Sequence, residues 1–515
     1  MSPVQTNTRA IVSGDMVRPI GEVSRRAGHI AFGLNRLGIG PGTAVAILMR
    51  NEISFVEVSQ GITMLGAYAV PLNWHLAPPE IEYVLGDCAA QVLFVHADLL
   101  DLVPPSVLVD NKLTVIVVRT PEDVCKAYQV SPARAAVPSG MLELESWIGL
   151  QQAWTVPPVP APESIIYTSG TTGKPKGVRR NPPTAEQRRR LDTMREQVYG
   201  LRAGIRLLVP APMYHAAPNV FAMAGAKVAE HLVLMPKFDA EDFLRLVEQH
   251  RITNIVTVPT MFVRLLRLPE AVRRRYDLRS LRMVHHAAAP CPPDVKRAMI
   301  EWFGPIIHEW YGTTESSVVT ACNSEEWLSH PGTVGRAIPG ARIEVVGEDG
   351  AVLPPGSPGE LYVGLDFLPD FTYHNRSEDR QQIGRNGLIT GGDIGYLDAE
   401  GFLFLCDRKK DMVISGGVNI YPSEVEAALL SMPAVLDCAV IGIPDAEFGE
   451  AVLALVVQDG STDEAAIRKE LGQRLARFKL PKAIEFRDSL PRDDAGKLLK
   501  RRLREPYWEN APRVI

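Results

Sequence analysis

The sequence has no run of roughly 18 uncharged apolar residues, the length a helix needs to cross a bilayer. Its richest stretch, residues 216–235, carries Lys227, Glu230 and His231 and reads as buried core. The opening residues MSPVQTNTRAIVSGDMVRPI hold no apolar segment of signal-peptide length, so a cytoplasmic protein without an integral membrane segment is expected. Cysteine is sparse: six thiols among 515 residues, with no CxxC pair and no clustered metal-ligand spacing. That excludes a disulfide scaffold and a cysteine-built zinc site, and fits a reducing compartment. Net charge is small, −5, so no general attraction to nucleic acid or anionic membrane follows. Repeats, low-complexity segments and Gly/Ser linkers are missing too.

What is present is length and alternation. A chain of 515 residues exceeds one ordinary core and predicts two to four domains. Over the first 150 residues, helical patterns such as VSRRAGHIAFGLNRLG alternate with short apolar runs such as AVAILM and VLFVHA, predicting an α/β fold with parallel strands and crossover helices. Residues 343–363, IEVVGEDGAVLPPGSPGELYV, change register to short runs divided by DG, PPG and SPG turns, which predicts a small antiparallel β unit. From Tyr421 onward helix and strand alternate again, predicting a compact α+β domain of about 100 residues. The charged stretch CDRKKD, 406–411, is the expected junction before it.

One loop concentrates chemistry. Residues 167–177 read YTSGTTGKPKG, with four aliphatic hydroxyls, three glycines and two lysines. Glycines let backbone approach an anion closely while N–H groups and hydroxyls donate to it, so the composition suits phosphate. The spacing is not that of a Walker A loop: the position five before Gly173 is Thr168, and Lys174 is followed by Pro175 rather than Ser or Thr. Alone, such a stretch is equally well a polar surface turn after the strand SIIY.

Four further stretches decide the reading. Residues 311–315 read YGTTE, 390–393 TGGD, 407–410 DRKK and 491–497 PRDDAGK, with GPGTAVAILMRN, PMYH, PGTVGRAIPG, GELYV and SGGVNIYPSEVE in the intervals. In this order they resemble, over nearly the whole chain, the adenylate-forming superfamily of acyl-CoA synthetases, peptide-synthetase adenylation domains and beetle luciferases. The resemblance implies a large N-terminal domain, 1–409, of stacked mostly parallel sheets with flanking helices and a small β subdomain. It also implies a smaller mobile α+β C-terminal domain, 410–515. The implied activity is an ATP-dependent carboxylic acid:CoA ligase working through an acyl-adenylate, with ATP, Mg²⁺ and coenzyme A as cofactors.

By that resemblance Thr168, Ser169, Gly170, Thr171, Thr172, Gly173 and Lys176 surround the β- and γ-phosphates. Ala288, Ala289 and Pro290 face the adenine. Within YGTTE, Tyr311, Gly312 and Thr313 flank the nucleotide, Thr314 donates to the α-phosphate and Glu315 holds Mg²⁺. Asp393 accepts from the ribose hydroxyls with Arg408 nearby, and Lys497 bridges the incoming carboxylate and the α-phosphate. His215 lies at the wall of the acyl pocket, Lys410 is the hinge, and Gly416 and Gly417 admit pantetheine. Taken singly, several have plainer readings: Asp393 as a turn residue, Glu315 as a helix cap, His215 as a packed side chain, Lys497 as a surface charge.

The chain departs from the family pattern in three places. After GELYV it reads GLDFLPDFTYHNRSEDR, with Tyr373 in place of the usual tyrosine. The adenine-facing stretch HHAAAP, 285–290, has methyls where glycine is usual. RRNPPTAEQRRRLDTMREQ is unusually basic, a solvated helix face or else a contact for the CoA 3′-phosphate. The small residues Ala216, Ala217, Ala222, Ala224 and Ala287–Ala289 suggest a roomy pocket for a medium-chain, long-chain or bulky hydrophobic acid. Two alternatives stay open: a stand-alone enzyme loading a carrier-protein phosphopantetheine, and a catalytically silent nucleotide-binding homologue. The family permits monomers and homodimers.

Overall fold

Runs such as AVAIL, residues Ala44–Leu48, are β-branched or small and completely buried, the pattern of a strand covered on both faces. The computed structural model, which describes residues 9–108, 113–168, 175–374, 376–416, 418–445, 447–492 and 498–509, places that run inside a parallel sheet. The chain divides into two compact units. The first comprises Met1–Thr257, Leu268–His285 and Phe367–Ile383; the second Val258–Arg267, His286–Asp366 and Gly384–Ile515.

In the first unit, a five-stranded all-parallel sheet runs in the order Tyr68–Pro71, Ala44–Leu48, Ala90–His96, Thr114–Val118, Leu142–Glu143. A second series of strands runs Asn254–Thr257, Arg206–Val209, His231–Leu234, Ala10–Ser13, Met16–Pro19, parallel except at its last pair. Helices Ile20–Arg36 and Ile53–Met64 pack so closely that a Cβ on Gly61 would lie 2.7 Å from Ile30 and 2.9 Å from the Ala27 carbonyl. Between them Glu57, fully buried, accepts from Arg18 at 2.7 Å and Arg26 at 2.9 Å, and Arg26 also reaches Glu145. The 216–235 stretch is the helix Ala216–Val228 followed by the strand His231–Leu234. No helix among the described residues is long and apolar enough to cross a membrane.

In the second unit the strands expected from the DG, PPG and SPG turns form an antiparallel series: Ala341–Val346, Gly359–Leu365, Leu388–Leu397, Phe402–Arg408, Thr333–Ala337, Ser317–Cys322, Ile307–Thr313. Beyond Met412 a five-stranded sheet built on the long hairpin Val435–Asp445/Gly449–Gln458 packs its apolar face, including Val440, Val452 and Ala454, on helices Pro422–Leu430 and Glu464–Arg474 through Val425, Leu429 and Leu471. All six cysteines are free thiols, as their spacing predicts.

Candidate active site

The stretch YTSGTTGKPKG is bracketed by two antiparallel strands in the first unit. Ile166–Thr168 enters and Lys176–Arg180 leaves, with Thr168 opposite Lys176 and Tyr167 opposite Gly177. Thr168 and Lys176 are described; Ser169, Gly170, Thr171, Thr172 and Gly173 lie outside the described residues, as do Gly417 and Lys497. The entering limb is fixed by Tyr167, whose phenol donates to Asp87 at 2.6 Å. Burial, then the neighbouring acidic groups, push this phenol far above its ordinary range, so it stays a donor.

A strand the sequence reading did not foresee completes this sheet. Phe371–Tyr373, in the segment that departs from the family pattern, pairs with Lys176–Arg180 in the register Phe371↔Arg180, Thr372↔Arg179 and Tyr373↔Val178. Tyr373 is buried and its ring lies 5.4 Å from the Lys176 ammonium. His215 caps the helix Ala216–Val228, its ring 4.3 Å from that of Tyr214, which stands edge-on to Trp74.

The basic segment forms the helix Ala185–Tyr199, opened by a Thr184–Gln187 capping box. Its arginines have local partners: Arg188 donates to the Ala161 carbonyl, Arg189 pairs with Glu186, Arg190 stacks on Phe367, and Arg195 meets Glu163 and Asp192. These contacts favour the helix-face reading.

In the second unit YGTTE forms the turn of a hairpin. The strand Ile307–Thr313 returns as Ser317–Cys322, with a register shift between Tyr311 and Gly312. A Cβ on Gly312 would lie 1.8 Å from the Ser317 carbonyl, so no other residue fits. Thr313 N–H donates to Ser316 Oγ at 2.9 Å and Ser316 N–H to Thr313 Oγ1 at 3.0 Å; this reciprocal clasp sets Thr314 and Glu315 at the tip.

Alternation along the strand puts Glu309, Tyr311 and Thr313 on one face. Tyr311 Oη donates to Asp393 Oδ2 at 2.7 Å, and Arg408 Nε stands 3.3 Å from Asp393 Oδ1. Burial, then the carboxylate beside it, hold the Tyr311 phenol well above its usual value, so its proton stays in place to orient Asp393. The extra glycine of TGGD has a contact: a Cβ on Gly391 would lie 2.8 Å from the Thr313 methyl. The structure thus brings Tyr311, Thr313, Asp393 and Arg408 together.

Ala288 takes φ 71°, a left-handed conformation that favours glycine, and Ala289 and Pro290 follow it. Lys410 is exposed, and its carbonyl accepts from Arg504 at 2.8 Å. Gly416, φ 59°, donates its N–H to the Phe448 carbonyl at 2.8 Å.

Comparison with known proteins assigns the chain to a family. Residues 5–368 match the model of the AMP-binding enzymes, and residues 424–497 the AMP-binding enzyme C-terminal domain. A long-chain-fatty-acid–CoA ligase of Mycobacterium tuberculosis is 33% identical over 518 residues, covering 97% of this chain and 95% of the relative. The chain belongs to the AMP-binding enzyme family, among its acid–CoA ligases.

Other members of the family agree. A feruloyl-CoA synthase of Amycolatopsis is 32% identical, covering 98% of this chain and 97% of its own. The crystal structure of an anthranilate CoA ligase in complex with anthranoyl-AMP superposes with a TM-score of 0.85 at 27% identity, covering 98% and 95%. As an AMP-binding enzyme the chain has the large N-terminal domain of parallel-rich sheets and the smaller C-terminal domain expected from its motifs. Its substrates are a small-molecule acid, ATP and CoA.

Proposed function

We propose that this ligase activates a medium-chain, long-chain or bulky hydrophobic carboxylic acid and transfers the acyl group to coenzyme A, with the residues of the sequence motifs in the following roles. A carboxylate resists attack because the incoming electrons add to an anion; making its oxygen an acyl phosphate gives it AMP as leaving group. In-line displacement at the α-phosphorus requires the two anions to be held together against their repulsion. Lys497 supplies the cation between carboxylate and α-phosphate, where charge develops. Thr168, Ser169, Thr171, Thr172 and Lys176 receive the departing pyrophosphate, and Thr314 donates to the α-phosphate. Asp393 accepts from the ribose hydroxyls. The observation that supports the nucleotide assignment is the Tyr311–Asp393–Arg408 array, a buried carboxylate oriented by a phenol that stays protonated.

Glu315 fits Mg²⁺ by donor chemistry. No group of three or more metal-ligating side chains gathers among the described residues, and Mg²⁺ is ordinarily held by one or two carboxylates with phosphate and water completing its shell. Bound there, the cation would neutralise charge on the phosphate oxygens.

For the second half-reaction, a thiol replaces Lys497 at the acyl carbon by rotation of residues 410–515 about Lys410, and Gly416 and Gly417 give pantetheine a path free of side chains. His215 stands at the acyl pocket wall. The hydrophobic acid is supported by the small residues of helix Ala216–Val228 and by relatives named for fatty and aromatic acids. Pyrophosphate release with ATP and Mg²⁺ against a panel of acids, with and without CoA, tests the reading. Acyl-CoA from hydrophobic acids is expected; a preference for acetate contradicts the substrate class, and acyl-AMP that never passes to CoA points to a carrier-protein thiol.

A further inference from the structure

Lys176 is already engaged. Its ammonium lies 2.8 Å from Asp379 Oδ2, with the two side chains only 12% and 25% exposed. Asp379 sits on the short helix Ser377–Gln382, directly after the strand Phe371–Tyr373 that pairs with Lys176–Arg180. The same stretch is tied down independently: Arg180 donates to the Pro369 carbonyl at 2.9 Å, Arg380 reaches Asp370 at 3.1 Å and lies 4.7 Å over the Phe371 ring, and Arg376 donates to Tyr83 at 2.6 Å. Asp379 is therefore delivered to Lys176 by a strand pairing and not by the free choice of a surface side chain. One ammonium cannot give its full charge to a carboxylate and to a polyphosphate at once.

We propose that Asp379 is a resident competitor for Lys176 that sets how tightly the ligase holds ATP and how readily it lets pyrophosphate go. The inference rests on the reading of Lys176 as a ligand of the β- and γ-phosphates. With nucleotide absent, Asp379 holds the ammonium and neutralises it in a half-buried place. When triphosphate arrives the ammonium shifts to it, and part of its attraction offsets the lost ion pair. After adenylation the carboxylate reclaims the lysine, which favours departure of pyrophosphate. The pair thus weakens binding of ATP and of pyrophosphate alike, and it keeps the first half-reaction from being held back by its own product.

The test is Asp379→Asn in the full chain, with Mg²⁺ present and binding of inorganic pyrophosphate and of a non-hydrolysable α,β-methylene ATP analogue measured by calorimetry. Removing one partly shielded ion pair should tighten both by about fivefold, lower the KM for ATP, and deepen pyrophosphate inhibition by a similar factor. Asp379→Glu should stay near wild type. Arg380→Gln loosens the same short helix without freeing Lys176 and should leave both affinities unchanged; if it tightens them too, the effect comes from the helix and the proposal falls. Unchanged or weaker binding in Asp379→Asn also overturns it. Lys176→Ala separates the premises. If it binds pyrophosphate as well as wild type, the phosphate role of Lys176 is wrong; if binding is lost there while Asp379→Asn has no effect, only the competitor role is wrong.

Discussion

Replacing Asp393 with alanine tests the nucleotide half of the site most sharply. Asp393 is 8% exposed, accepts a hydrogen bond from the Tyr311 hydroxyl at 2.7 Å and has Arg408 at 3.3 Å, so its carboxylate is held in one orientation with little water to compete. Hydrogen bonds to a charged acceptor contribute about 1.5–3 kcal/mol each, so losing both ribose hydroxyls should cost about 3 kcal/mol or more and lower kcat/KM for ATP by at least about 100-fold. Tyr311→Phe keeps the carboxylate but removes the donor that aims it, for a loss of about 1–2 kcal/mol, or about fivefold to thirtyfold. Pyrophosphate release measured with ATP, 2′-deoxy-ATP and 3′-deoxy-ATP reads the contact itself. The wild type should discriminate against each deoxynucleotide by about tenfold or more, and Asp393→Ala by no more than about twofold, since the acceptor is gone. An Asp393→Ala enzyme that keeps its ATP efficiency within about threefold, or that still discriminates, refutes the assignment.

Other perturbations probe parts of the chain away from the ribose. Lys296, fully buried on helix Pro293–Phe303, donates to Glu309 at 2.5 Å and lies 4.8 Å from the Trp327 ring centroid; Lys296→Met strands that carboxylate and should destabilise the protein by about 3–5 kcal/mol in urea unfolding, whereas Lys296→Met/Glu309→Leu should recover most of the loss. Burial, partly offset by Lys296, already raises the Glu309 carboxyl; without the lysine the folded state holds its proton more strongly, so the deficit should shrink at low pH and grow as pH rises above the ordinary carboxylate range, and a pH-independent deficit would contradict this. Burial, then Lys296, lowers His308 to about 4, so the unfolded chain takes up a proton there first: stability should fall as pH drops from about 6.5 towards 4, and His308→Gln should flatten that limb in thermal melts. Ala288→Gly relieves the left-handed backbone and should raise stability by up to about 1 kcal/mol; a loss would show that the methyl is needed for packing. Lys497→Ala should abolish acyl-AMP formation while sparing thioester formation from pre-made acyl-AMP, checked by assaying the two half-reactions separately.

How far the sequence carries this picture depends on the range of each signal. The alternation of AVAILM and VLFVHA with helical patterns foretold the parallel strands Ala44–Leu48 and Ala90–His96, and DG, PPG and SPG turns foretold the antiparallel pair Ala341–Val346/Gly359–Leu365, because both signals are local. Motif order likewise named Tyr311, Asp393 and Arg408 before geometry joined them. The pairing of Phe371–Tyr373 with Lys176–Arg180 was not legible: it links residues nearly 200 positions apart through a segment that departs from the family's pattern, and no local periodicity encodes a partner at that distance. Asp379 went unnoticed for the same reason, since SEDR reads as an ordinary solvated helix start. Lys296 was hidden by chemistry instead, because hydrophobic patterning assigns a lysine to solvent and only the facing Glu309 and Trp327 explain its burial.

The proposed chemistry turns on a carboxylate oxygen attacking the α-phosphorus of ATP before the acyl group reaches CoA. Its most direct test uses the acid that gives the fastest pyrophosphate release, labelled with ¹⁸O in its carboxylate, incubated with the enzyme, ATP, Mg²⁺ and CoA and followed by mass analysis of the products. With both carboxylate oxygens labelled, the expected products are AMP carrying one ¹⁸O atom, unlabelled pyrophosphate, and acyl-CoA that keeps the other ¹⁸O in its carbonyl. Unlabelled AMP, or ADP with labelled phosphate, would contradict this chemistry.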